Sequence, residues 1–218
     1  LTEELKKQIL EAQTQVLVED LYRPYRPKRR TRATIAKEKG LEGLANIILL
    51  QMTKKSLEEE AKSYLNEEKE VLTVADAISG AKDIIAESIS DEASYRTRIR
   101  EMTEKEGILT AEAKDEKTES VYEMYYHFQE PVSKLAGHRV LALNRGEKEK
   151  ILTVKVEVPE ERILRYLEKQ IIKKDNPNTT EILKEVAEDS YRRLIAPAIE
   201  REIRNAQTEK AEEGAISV

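Results

Sequence analysis

The chain has 218 residues, with 38 Lys and Arg against 43 Asp and Glu, a formal net charge of −5, 39% hydrophobic and 37% charged residues, and no Cys or Trp. That length suffices for one large domain or two small ones. The absence of Cys excludes a disulfide framework and any thiolate-ligated zinc or iron–sulfur centre. The longest uninterrupted apolar runs, 47–50 and 140–143, are four residues each, against the ~20 a membrane-spanning helix needs.

Seven Gly and six Pro amount to about half the usual share of turn formers, so long helices are expected. Thr2 can cap a first helix with Leu5, Ile9, Ala12 and Val16 on one face, ending before Pro24. A basic loop follows, then short helices at 34–39, 41–53 and 57–66. Thr73 caps a helix carrying Val74, Ile78, Ala81, Ile85 and Ile89 at intervals of three and four. Another restarts at Ser90 or Asp91 and ends at Gly107. Residues 151–158 alternate Leu152, Val154, Val156 and Val158 with polar neighbours, the pattern of a half-buried strand. A strand needs a hydrogen-bonding partner, and the segment from Ile108 is the best candidate. Pro159 opens a helix with Ile163, Leu164, Leu167 and Ile171. Asn178 with Glu181 resembles a capping box ahead of Leu183, Val186 and Tyr191. Pro197 is expected to kink that helix or break it. The expected fold is mainly α, a multi-helical scaffold with a small two-stranded β element. The expected division is 1–72, holding the basic loop and a helix-turn-helix-like pair, and 73–218.

The strongest local anomaly lies at 23–39. Arg23, Arg26, Lys28, Arg29, Arg30, Arg32, Lys37 and Lys39 face a single acid, Glu38, in a chain of opposite net sign. Cations concentrated in this way suit an anionic partner. Arg and Lys neutralise phosphates, and Tyr22 and Tyr25 could stack on bases. The same strip could equally dock on Glu-rich helices of its own chain or on a protein. The candidate nucleic-acid-binding residues are Tyr22, Arg23, Tyr25, Arg26, Lys28, Arg29, Arg30 and Arg32.

Other constellations are weaker. Ala36 and Gly40 are spaced as in helix-turn-helix units, yet residues 41–51 contain no Arg or Lys to read bases. His127 and His138 match no zinc spacing. No Walker loop, dinucleotide turn or nucleophile triad can be assigned, so no catalysis, metal or cofactor is expected. Tyr122, Tyr125 and Tyr126 make one face at helical spacing with Phe128 beyond them, the arrangement of a core plug, with base stacking as the alternative.

Several of these stretches together resemble the Tex family of bacterial transcription accessory proteins. They are the run from Glu19 through Tyr22-Arg23-Pro24-Tyr25-Arg26-Pro27 to Ala33, then Ala36 and Gly40-Leu41, Tyr122, Tyr125-Tyr126, Phe128, Glu130-Pro131, His138-Arg139 and Arg145-Gly146-Glu147. Gly43, Arg23, Met124 and His127 depart from the family pattern. The resemblance implies a cytoplasmic, nucleic-acid-binding transcription factor. Such a protein continues into an RNase-H-like domain, helix-hairpin-helix elements and a C-terminal RNA-binding domain. On that reading this chain is a monomeric, non-catalytic helical fragment that stops just before the RNase-H-like part. Its partners would be RNA or DNA, bound mainly through the missing domains, and transcription-machinery proteins. The resemblance also favours a helix from Gly137 to Arg145, with Gly146 as a left-handed stop, over a strand.

Overall fold

The computed structural model describes residues 2–4, 20–21 and 30–217. The apolar face of the first expected helix, from Leu5 to Val16, and the loop residues 22–29 lie outside the described residues.

From residue 30 the helices are α1 (Arg32–Glu38), α2 (Glu42–Leu50), α3 (Leu57–Lys62), α4 (Val74–Ser90) and α5 (Ala93–Glu106). Strand β1 (Ile108–Ala113) follows, then a 3-10 turn (Glu123–Tyr125), β2 (His127–Pro131), a second 3-10 turn (Val132–Lys134), α6 (Gly137–Lys148) and β3 (Leu152–Glu157). The chain ends with α7 (Glu160–Ile171), α8 (Thr180–Asp189), a π-helical turn (Ser190–Ile195) and α9 (Ala196–Ser217). The fold is mainly α with a small antiparallel sheet.

The chain forms two compact units, one of residues 1–97 with 161–196, the other of 98–160 with 197–218. In the first, α4 is the central helix, with α1, α2, α3 and α8 packed against it. Thr73 caps α4 by accepting from the Asp76 N–H. Ala77, Ala81 and Ile85 line its buried face with Leu41, Leu44 and Ile48 opposite. Gly80 permits the close approach: a Cβ there would lie 2.3 Å from Leu41 Cδ1. Each fully buried Leu or Ile contributes about 1.5–3 kcal/mol, so this aliphatic interior stabilises the unit without Trp or Phe.

In the second unit β1 is the middle strand of the order β2-β1-β3. Ile108 lies opposite Glu157 and Ala113 opposite Leu152, as the alternation in 151–158 anticipates. The other neighbour was not anticipated. Residues 127–131 pair with β1 from Ile108↔Pro131 to Glu112↔His127, so the sheet has three strands rather than two. The helical spacing of Tyr122, Tyr125 and Tyr126 therefore ends in a single 3-10 turn. Their rings are buried, with Tyr125 edge-on to Phe128 at 5.2 Å.

Three local expectations change. Helix α6 runs through Gly146 to Lys148, and the left-handed residue is Lys150, at φ 63°. Gly146 is there because a Cβ would meet Leu152 Cδ1 at 2.5 Å. Asn178 does not cap α8; Thr179 holds the cap position, and the Asn178 side chain donates to the Thr53 carbonyl at 3.3 Å. Pro197 does not break the helical path. The Ala196 N–H reaches back to the Tyr191 carbonyl in the π turn, and this wider turn accommodates the proline that follows.

Candidate nucleic-acid interface

Of the eight candidate binding residues, Tyr22, Arg23, Tyr25, Arg26, Lys28 and Arg29 lie outside the described residues. Arg30 and Arg32 are described, as are both flanks of the stretch. Before it, Asp20 is helical and buried, with its carboxylate 3.4 Å from Arg96 Nε. Both side chains are essentially removed from solvent, at 2% and 0% exposed. After it, Thr31 caps α1: its Oγ1 accepts from the Thr34 N–H at 3.1 Å and donates to Glu87 Oε2 on α4 at 2.8 Å.

Arg30 and Arg32 are both at the surface. Arg30 forks onto Glu38, Nη1 to Oε1 at 3.1 Å and Nη2 to Oε2 at 3.0 Å. Its side chain is nonetheless 66% exposed, and a pair this wet is worth only ~0–1 kcal/mol. A stronger anion could displace the glutamate at little cost. Arg32 opens α1 close to Asp83. Burial pushes the Asp83 carboxyl above its ordinary 3.8, and the positive fields of Arg193 first and Arg32 next draw it back down. Lys37 and Lys39 sit at the C-terminal end of α1, where cations offset the helix dipole. Lys37 shares a shallow depression with Glu42, Glu87 and Asp91. The described end of the basic strip is thus solvent-facing, with carboxylates of α1 and α4 beside it.

Helices α1 and α2 follow one another through the turn at Gly40, and both pack against α4. Gly40 turns with φ 79°, a backbone that a side chain disfavours. Leu44, Ala45 and Ile48 are wholly buried, and α2 bears no cation, so its outer face cannot neutralise phosphate.

The aromatic cluster serves the second unit's interior. Arg139 lies 5.5 Å above the Phe128 ring and reaches Glu130 at 3.5 Å. Exposed His127 pairs with Glu116 at 2.9 Å. His138 lines a cleft of about 750 Å³ with Val132, Leu135, Leu141, Ile203 and Ala206. Sequence reasoning missed this cleft, because its walls come from three segments with no shared motif. Among the described residues no group of three or more His, Asp and Glu stands together to hold a metal ion. No described helix is long and apolar enough to cross a membrane.

Comparison with known proteins places this architecture. The Tex central region-like family matches residues 53–218. The chain is 53% identical over 221 residues to the uncharacterized protein YdcI of Bacillus subtilis, covering 100% of the chain and 31% of that protein. It is 35% identical over 233 residues to Protein tex of Bordetella pertussis, covering 100% of the chain and 29% of that protein. It is also 35% identical over 156 residues to Transcriptional accessory protein Tex of Neisseria gonorrhoeae, covering 71% and 20%. The chain spans less than a third of the length of these relatives. With a family match that runs through both units, and with the aromatic, Arg139 and Gly146 positions at structural posts in the second, the chain belongs to the Tex family.

Proposed function

We propose that the chain is a non-catalytic helical scaffold of a cytoplasmic, nucleic-acid-binding transcription accessory factor, and that residues 22–32 are a secondary phosphate-contacting surface. The observation that carries this reading is the strip of eight cations against one acid between residues 23 and 39, whose described arginines, Arg30 and Arg32, face solvent. The name of the Neisseria relative, a transcriptional accessory protein, supplies the context. Pro24 and Pro27 in the sequence would restrict the backbone between the guanidinium groups, which would lower the entropy lost on meeting a phosphate chain. The partner is RNA or DNA, and other parts of the full-length protein would dominate affinity.

A second reading is favoured by the pairing of Arg30 with Glu38 and the nearness of Arg32 to Asp83. There the strip is an architectural clasp on acidic helices or on a transcription-machinery protein. Anisotropy titrations of labelled single-stranded RNA and DNA, with the chain and with its Arg26→Ala, Arg29→Ala, Arg30→Ala variant, separate the two. Loss of binding with unchanged melting supports phosphate contact. Unchanged binding with a large loss of melting temperature supports the clasp.

A further inference from the structure

Three consecutive residues at the described end of the basic strip each meet a carboxylate. Arg30 forks onto Glu38, Thr31 Oγ1 donates to Glu87 Oε2 at 2.8 Å, and Arg32 lies in the field of Asp83. The three acids are held differently. Glu87 is half-buried on α4 and bonded to the residue that caps α1. Asp83, also half-buried on α4, has Arg193 Nη2 at 3.9 Å. Glu38 stands at the surface with its side chain 51% exposed, and both of its oxygens are taken by the Arg30 guanidinium.

Glu38 does not stand where an acid helps the fold. It is the last residue of α1, at the end of the helix where unpaired carbonyls concentrate negative charge and a carboxylate is disfavoured. It is also the single acid in a segment of eight cations, residues 23–39. Its pair with Arg30 spans α1 from end to end and is wet on both sides, so it stabilises the chain little. What the pair does have is fork geometry, two N–H···O bonds at 3.1 and 3.0 Å. A guanidinium takes phosphate in the same arrangement.

We propose that Glu38 is an intramolecular stand-in for phosphate. It occupies the Arg30 guanidinium until a phosphate chain displaces it, and so sets how strong a polyanion must be to engage this end of the strip. The proposal rests on the phosphate-contact reading and adds to it a competitor built into the adjoining helix. A lone phosphate gains one fork at the cost of another, an exchange near balance. A nucleic-acid chain brings further phosphates to the neighbouring cations, and each contact after the first is intramolecular, which lets the chain displace the acid. Glu87 and Asp83 are poor competitors by comparison, because each is half-buried and bonded to a group outside the two arginines.

The test is the anisotropy of a fluorescein-labelled oligouridine titrated at low salt with the parent chain, Glu38→Gln, Arg30→Ala and the double variant. Glu42→Gln is the control: it removes the same charge from an exposed acid in the first turn of α2. Glu38→Gln keeps the shape of the side chain and should tighten binding roughly 2- to 5-fold, the hold that an exposed pair of this kind exerts, with the melting temperature kept. Beside Arg30→Ala the same change should gain no more than Glu42→Gln does, because the coupling runs through the guanidinium. Equal affinity of Glu38→Gln and the parent overturns the proposal and leaves the phosphate-contact reading in place. A gain that Glu42→Gln matches, or that persists beside Arg30→Ala, also overturns it, since either is a response to net charge alone. Binding by none of these chains removes both the proposal and the reading beneath it.

Discussion

Arg96 offers the sharpest quantitative test of how the segment leading into the basic strip is held. Its side chain is 0% exposed and lies 3.4 Å from Asp20, with Nη1 donating to the Ser90 carbonyl at 3.4 Å. Arg96→Met removes the guanidinium that lies 3.4 Å from the buried Asp20 carboxylate. Breaking a buried pair in this way costs ~3–5 kcal/mol, whereas an exposed pair such as Arg30–Glu38 contributes ~0–1 kcal/mol. For a chain of this size each kcal/mol moves the melting temperature by about 2–4 °C, so the expected loss is roughly 6–20 °C. Urea denaturation should show the same loss as a lower midpoint with an unchanged slope. Replacing both partners, Asp20→Leu with Arg96→Met, should recover most of the stability, since no buried charge then stands alone. A loss below about 1 kcal/mol for Arg96→Met, matching Arg30→Ala, would refute the burial argument, because the pair would then be hydrated.

Three further outcomes follow from the geometry. Gly107→Ala would place a Cβ 2.3 Å from the Thr103 carbonyl oxygen, a backbone atom that cannot swing aside; a loss of ~1–3 kcal/mol in chemical denaturation is expected. Gln51→Ala orphans the amides of Lys173 and Lys174 and keeps the left-handed backbone strained, so it should cost ~1–3 kcal/mol, and Gln51→Gly should cost less because the strain is relieved. Burial raises the Glu104 carboxyl above its ordinary 4.5, with Arg100 drawing it partly back. The folded chain therefore holds this proton to higher pH than the unfolded chain does, and its contribution to stability falls as pH rises from about 4.5 through the folded pKa. Glu104→Gln should remove that slope, which stability measured across the acid range in parallel with the parent would reveal.

What was legible in the sequence was whatever depends on near neighbours. The Thr73 cap, the alternation from Leu152 to Val158 and the proline before α7 each act within one turn or one strand, and each appears where local chemistry puts it. What was not legible depends on contacts far along the chain. Tyr122, Tyr125 and Tyr126 have helical spacing, yet pairing with β1 draws His127–Pro131 into the sheet. Gly146 looks like a helix stop, but its reason is Leu152, six residues on in sequence and packed against it. Asn178 has a capping partner in sequence, but Thr179 holds the cap position and the Asn178 side chain donates to the Thr53 carbonyl. At the candidate site the charge density was plain from composition. That Arg30 stays at the surface beside Glu38 while Arg96 buries with Asp20 required the fold: both are arginines near an acid, and only tertiary packing distinguishes the wet pair from the dry one.

The most direct test of the phosphate-contact reading is the salt dependence of single-stranded RNA affinity. Each phosphate neutralised on a single strand contributes about 0.7 to the slope of log affinity against log salt. Removing Arg26, Arg29 and Arg30 should therefore flatten that slope by roughly 2 while the melting temperature holds. A slope identical to that of the parent chain would contradict the account, since the strip would then touch no phosphate.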